Sequence, residues 1–276
     1  MEFLNNLTKT RKNYLHDTYK FIENGSIVLK VGELEENNDI RDKYSCTHYY
    51  ILDQTILHAQ GGGQPSDIGI IECENKTTFH VNFVKDENGI IFHYGGYGKF
   101  NTDNDNDTSN SNIIIPSNGD VVKVVVNEEK RRVFARLHSI GHALDACIMR
   151  LGLEESFEAT KGYHFQDGPY VEYRVAKDFD KSILDTLSDQ LNEKLKEVVE
   201  EKIETEIKMM SQEDAGILCK CDTSTYPDEV RVLIVASFPC PCGGTHVTNT
   251  SEFGEVKVTK CKKKKDLVKI SYQLLS

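Results

Sequence analysis

The sequence predicts an α+β fold, with an N-terminal small β-barrel-like domain followed by an α/β domain. Three observations predict it. Short apolar runs bounded by Gly and Asn crowd the first half. A helical periodicity then starts abruptly at EEKRRVFARLHSIGHALDACIMRLG, and a second, longer one follows. Strand-type runs return towards the C-terminus. The expected domains are residues 1–127, β-rich, and 128–276.

Taken in order, residues 1–24 read as a short helical or irregular lead-in. Ser26–Val31 reads as a strand between Gly25 and Gly32, and Tyr49–Leu57 (YYILDQTIL) as another. Ile68–Glu72, Thr77–Val84 and Ile90–Tyr94 continue the β pattern. Residues 99–119 are mostly Asn, Asp, Ser and Thr, too polar to offset the entropy of ordering, and read as a disordered loop insertion. Asp120–Asn127 resumes as a strand. Val133, Leu137, Ile140, Leu144 and Ile148 then recur at helical spacing, with Gly152 placed as a C-cap. Residues 180–210 read as one helix whose stripe of Ile183, Leu184, Leu187, Leu191, Leu195 and Val198 packs on a core. Val230–Ala236, Glu255–Val258 and Leu267–Leu274 read as strands.

Composition bounds the function. The chain has 276 residues, 38% hydrophobic and 28% charged, which excludes a collagen, a coiled coil and a wholly disordered chain. A net charge of −11 argues against nucleic-acid binding over the whole surface and leaves room for a local basic patch. No run of about 20 apolar residues is present, and the N-terminus lacks the apolar core of a signal peptide. The expectation is therefore a cytoplasmic protein with no membrane partner. Its eight Cys read as reduced thiols, metal ligation excepted.

His138 and His142 lie one helical turn apart, so both imidazoles share a face. Ser139 stands where a zinc metalloprotease helix carries its Glu base, which disfavours that class. In PCPCGGTHV, Cys242 and His246 repeat the four-residue spacing. Thiolate plus imidazole selects Zn2+ over Mg2+ or Ca2+, and the two pairs together make a full tetrahedral His3Cys set. Such a zinc either staples helix to sheet or serves a reaction, and composition does not separate the two. Cys240 is a rival ligand. Cys219 and Cys221 form a similar pair, with a second metal site from these cysteines as the lesser reading.

The third motif runs from Gln60 through Gly61, Gly62, Gly63 and Gln64 to Gly69. It is neither a P-loop nor a dinucleotide fingerprint, and by itself reads as a tight turn between strands.

GGGQPSDIG, HSIGH and CGGTHV, in that order, resemble the editing domain of alanyl-tRNA synthetase, and most closely the freestanding AlaX family of alanyl-tRNA editing proteins. MMSQEDAGIL at 209–218 is also similar, and the resemblance spans about residues 50–275. It implies a β-rich domain with the Gly-rich motif, then an α/β zinc-containing editing domain. It implies hydrolysis of the ester of a wrong amino acid, chiefly serine and sometimes glycine, on tRNA(Ala). His138, His142, Cys242 and His246 would hold the zinc. Gly61, Gly62, Gly63 and Gln64 would line the pocket, and Thr55 matches a threonine that contacts the serine hydroxyl. The sequence departs from the family just before the glycines, with Leu57-His58-Ala59-Gln60 in place of Phe-Tyr-Pro-Glu. His58 reads either as a polar pocket residue or as a loop residue facing solvent.

The tRNA acceptor end is the expected partner. Residues 255–269 carry seven Lys against Glu255 and Asp266, a net +5, and Lys260, Lys262, Lys263, Lys264 and Lys265 are its centre. Arg131, Arg132 and Arg136 would extend that patch. A solvated hairpin tip is the plain alternative. The oligomeric state, monomer or dimer, stays open. Two other functions compete: a threonyl-type editing hydrolase, and a non-catalytic tRNA-binding module with structural zinc. The length leaves no room for the adenylate-forming domain of a full synthetase.

Overall fold

The computed structural model describes residues 7–74, 77–97 and 115–275. The expected disordered insertion at 99–119 lies outside the described residues as far as position 114. The chain divides into two compact units, one of Met1–Gln60 and Ser66–Arg131, the other of Gly61–Pro65 and Arg132–Ser276.

The first unit contains β1 (Arg11–Lys12), β2 (Ile22–Glu33), α1 (Asp39–Tyr44), β3 (His48–Leu52), β4 (Gln54–Thr55), β5 (Gly69–Cys73), β6 (Thr78–Glu87), β7 (Ile90–Tyr97) and β8 (Val121–Val126). Six of these strands close a barrel in the order β2-β3-β7-β6-β5-β8. Closure removes the edges that open sheets must protect. Alternate residues fill the interior, among them Val28, Tyr50, Leu52, Ile71, Phe79, Val81 and Val124, all almost fully buried. The strand expected over Tyr49–Leu57 is interrupted. Asp53 accepts a hydrogen bond from the Ile27 N–H at its Oδ1 (2.7 Å), and Gln54–Thr55 pairs in parallel with β1. The lead-in thus contributes a strand, because it finds an edge to pair with.

A buried ion pair ties this unit together. Asp67 and Arg131 are both solvent-excluded; the guanidinium Nε lies 3.0 Å from each carboxylate oxygen, and Nη2 bonds Oδ2. Arg131 also donates to the Thr18 carbonyl (2.8 Å) and the Ile56 carbonyl (2.5 Å), and Asp67 accepts the His58 N–H (2.6 Å). Every polar group of the pair is satisfied, as burial demands. Arg131 is therefore not available to a phosphate, contrary to the expectation that it extends a basic patch. Arg136 is likewise committed, donating to the Phe253 carbonyl at 2.8 Å. Only Arg132 of the three is exposed.

Helix α2 spans Glu128–Arg150, its residues up to Arg131 assigned to the first unit and those from Arg132 to the second. Asn127 caps it by accepting the Lys130 N–H at 2.9 Å, and Gly152, at φ 69°, ends it in the left-handed conformation. The second unit continues with β9 (Glu158–Tyr163), β10 (Tyr170–Arg174), α3 (Ile183–Glu201), β11 (Glu206–Ser211), α4 (Gln212–Cys219), β12 (Glu229–Val235), β13 (Phe238–Pro241), β14 (Val256–Lys264) and β15 (Leu267–Leu274). Its sheets are β14-β15-β10-β9 and β11-β12-β13.

Leu187, Leu191, Leu195 and Val198 of α3 are buried in the same core as Ile140, Leu144 and Ile148 of α2. The helix expected over 180–210 is shorter than that. Lys202 adopts φ 53° and closes α3, and residues 206–211 instead pair antiparallel with β12. Glu206, Lys208, Met209 and Met210 favour helix locally, and pairing with the neighbouring strand overrides that preference.

Candidate metal centre

Two segments of the second unit bring the candidate ligands together. Helix α2 supplies His138 and His142, and the turn after β13 supplies Cys242 and His246. Their ligand atoms all lie within 4.8 Å of one another. Cys242 Sγ is 3.5 Å from His138 Nε2 and 3.3 Å from His246 Nε2. Ligands around a tetrahedral zinc, with bonds of roughly 2.0–2.3 Å, stand about 3.3–3.7 Å apart. His142 Nε2 is buried and has no hydrogen-bond partner among the described residues, an orphaned lone pair of the kind a cation satisfies. Cys240 is not part of the group, and among the described residues Cys219 and Cys221 belong to no second one.

The outward nitrogen of His138 fixes its tautomer. His138 Nδ1 donates to Gln64 Oε1 at 2.7 Å. The same oxygen accepts the Thr245 N–H (3.0 Å), while Gln64 Nε2 donates to Thr245 Oγ1 (2.8 Å), so the amide orientation is determined. Ser139 Oγ accepts the Val247 N–H (3.1 Å) and lies 3.2 Å from His246 Nδ1. Asp145 faces His142 Nδ1 at 3.9 Å and accepts the Tyr173 hydroxyl at 2.7 Å. Each imidazole thus turns Nδ1 to an amide, hydroxyl or carboxylate and Nε2 to the centre, as metal-binding histidines do.

The glycines explain themselves geometrically. Gly61 and Gln64 exchange two backbone hydrogen bonds, closing a turn whose central residues Gly62 and Gly63 have φ 56° and 78°. That is a primed turn, whose positive φ angles glycine adopts without strain. A Cβ on Gly244 would stand 2.3 Å from the His138 ring and 2.7 Å from Gln64 Oε1. The turn therefore delivers Gln64, fully buried, to the back of His138.

Burial sets the protonation states. It holds the His142 imidazole down to about 4, with Arg231 adding to the effect. It raises the Cys242 thiol and lifts the Asp145 carboxyl to about 7. Neutral imidazoles suit a metal; the thiol has to lose its proton to bind one.

His164, absent from the sequence reading, joins this cluster. Its ring stacks on His138 with centroids 4.6 Å apart. Its Nδ1 bonds the Tyr272 hydroxyl (2.7 Å), which itself donates to the Leu137 carbonyl (2.9 Å). Burial holds this imidazole down to about 3. Its partners lie far away in sequence, and no spacing rule finds them.

Thr55 belongs to the other unit. It is fully buried, its hydroxyl 2.8 Å from His93 Nε2 and accepting the Leu57 N–H at 3.0 Å. His58 is buried too, its ring edge-on to Tyr14 at 5.2 Å, so it does not face solvent. Gln60 is exposed. On the β14–β15 hairpin Lys260, Lys262, Lys264 and Lys265 are exposed, while Lys263 is half-buried, its Nζ 5.4 Å from the Phe179 ring.

Comparison with known proteins agrees with this arrangement. Residues 1–109 match the model of class II (A) tRNA synthetases, and residues 230–269 that of the threonyl and alanyl tRNA synthetase second additional domain. Alanine--tRNA ligase of Clostridioides difficile is 31% identical over 246 residues, 84% of this chain and 24% of that protein. Alanyl-tRNA editing protein AlaX-L of Pyrococcus horikoshii is 27% identical over 224 residues, 80% of this chain and 50% of that protein. Alanine--tRNA ligase of Sulfurisphaera tokodaii is 24% identical over 277 residues, 99% of this chain and 27% of that protein. The chain thus spans half or less of the length of these relatives. With two synthetase models matched and relatives aligned along most of its length, this chain is a homologue of part of alanine--tRNA ligase and of AlaX-L.

Proposed function

We propose that the protein is a hydrolase that removes the wrong amino acid from mischarged tRNA(Ala), chiefly Ser-tRNA(Ala), with Gly-tRNA(Ala) as a second substrate. The observation that carries this is the convergence of His138, His142, Cys242 and His246, with His138 Nδ1 tied to Gln64 and His246 Nδ1 to Ser139, in a homologue of AlaX-L. The donor set fits zinc by chemistry and by spacing. Bound there, zinc supplies a Lewis acid that polarises a substrate oxygen or holds the substrate in register.

The chain's own residues do the rest. Gln64 and Thr245 hold His138 in one tautomer. The Gly61–Gly63 turn lets a substrate approach the backbone closely, and its exposed Gly61 and Gly62 are available for that contact. An aminoacyl ester is already activated, so positioning accounts for most of what the site has to supply. Thr55 as the contact to the serine hydroxyl is part of the same proposal. Its remaining acceptor lone pair would make that contact: His93 Nδ1 faces the Tyr50 carbonyl at 3.2 Å and carries the ring proton, so the Thr55 hydroxyl donates to Nε2.

The test is deacylation of Ser-tRNA(Ala), Gly-tRNA(Ala), Ala-tRNA(Ala) and Ser-tRNA(Thr), with metal content measured on the same preparation. Turnover of the first and sparing of Ala-tRNA(Ala) is the expected result. Turnover of Ser-tRNA(Thr) alone would move the function to the threonyl type, a reading kept because the matched second additional domain is named for both synthetases. No turnover by the zinc-loaded protein would leave a tRNA-binding module.

A further inference from the structure

The β14-β15-β10-β9 sheet buries one face only. Val258, Val268, Ile270, Tyr272, Val171 and Tyr173 join the core. Strand alternation sends the residues between them to the opposite face. Across that face the register sets Lys260, Ser271, Tyr170 and Tyr163 in one row, and Lys262, Lys269, Glu172 and Lys161 in the next. Lys260, Lys262, Lys264 and Lys269 are all exposed there. On a chain of net charge −11, this is a segregated basic surface. Its acids are few: Glu172, Glu158 paired with Arg174 at 3.1 Å, and Asp167, which accepts the Tyr163 hydroxyl at 3.0 Å.

Three half-buried aromatic rings lie along one edge of it. Tyr163 stacks on Tyr170 with centroids 5.4 Å apart and planes at 21°. Phe165 stacks on Tyr163 at 4.5 Å and 14°. Lys269 Nζ sits 3.5 Å above Tyr170 and caps that end with a cation. At the other end Phe165 has no further ring or cation partner among the described residues. His164, between Tyr163 and Phe165 in sequence, instead stacks on His138. One strand end therefore bears both the aromatic stack and a wall of the metal centre.

We propose that this face binds unpaired RNA nucleotides: a base extends the stack at Phe165, and Lys260, Lys262 and Lys269 take the adjoining phosphates. Aromatic rings beside a basic track are what single-stranded RNA requires of a protein surface, since every base has a π face and every linkage a charge. The identity of the RNA, the unpaired 3′ end of an aminoacyl-tRNA, rests on the function proposed above; the surface itself does not. A purely structural cross-strand pair would account for Tyr163 and Tyr170 but not for Phe165, which lies beyond β9.

The experiment is fluorescence anisotropy with the full chain and two labelled RNA hairpins, one with a short unpaired 3′ tail and one blunt. Phe165→Ala and Tyr163→Ala are each expected to weaken the tailed hairpin about tenfold and leave the blunt one unchanged. Tyr163→Phe keeps the ring and should keep the affinity. Lys260, Lys262 and Lys269 changed together to Ala should weaken both hairpins and lower the logarithmic salt slope by about 2. Equal affinity for tailed and blunt RNA, or an unchanged affinity in Phe165→Ala with a native melting curve, would overturn the proposal. Deacylation is measured alongside. Tail-dependent binding without deacylation refutes the proposed function alone, and deacylation without tail dependence refutes this surface alone.

Discussion

Gln64 Oε1 and His138 Nδ1 are 2.7 Å apart, with both side chains buried, although 74 residues separate them. The bond forces the Nδ1–H tautomer on His138 and leaves Nε2 for a cation. Gln64→Leu, close in size and without polar atoms, should lower zinc affinity roughly 10–100-fold. Chelator competition reads it; an affinity equal to wild type would show that Gln64 serves something other than His138.

Zinc binding should depend on pH in one direction. Burial raises the free Cys242 thiol above its ordinary value while His142 is already neutral, so the metal displaces the thiol proton. Affinity should therefore rise with pH through neutrality, with about one proton released per zinc. Cys242→Ser should abolish that proton release. Calorimetry in two buffers of different ionisation enthalpy measures it.

Metal removal should also lower stability. Zinc at a thousandfold excess over its Kd contributes about 4 kcal/mol by mass action. The thermal midpoint should rise with zinc concentration and fall with chelator. In His142→Ala it should be insensitive to both.

Arg131→Ala strands the Asp67 carboxylate in a solvent-excluded site, and Asp67→Ala strands the guanidinium. Either should cost about 3–5 kcal/mol in urea unfolding. A double replacement by apolar residues should cost less than the sum of the two, because no lone charge then remains buried.

Acid should destabilise the barrel through His93. Burial holds its imidazole down to about 4, below the unfolded value of about 6.5. Between those values the unfolded chain binds the extra proton, so stability falls as pH drops through that window. The full span is worth about 3 kcal/mol. His93→Gln retains hydrogen-bonding atoms near Thr55 and should flatten the pH dependence of unfolding. An unchanged slope would assign the acid sensitivity to the other buried histidines.

The four-residue spacings of His138/His142 and Cys242/His246 made the candidate metal-binding group legible, because a helix turn and a tight Gly-rich turn each impose local geometry that sequence alone encodes. The apolar periods of α2 and of β5 to β8 were legible for the same reason. The tertiary structure decided what depends on partners distant in the chain. It ended α3 at Glu201 because residues 206–211 pair with β12. It set Gln64 against His138, took Arg131 out of the surface and into a pair with Asp67, and brought His164 onto His138. Hydrogen bonds and ring contacts of this kind are made by whichever groups the fold brings within about 3–5 Å, and no periodicity records them.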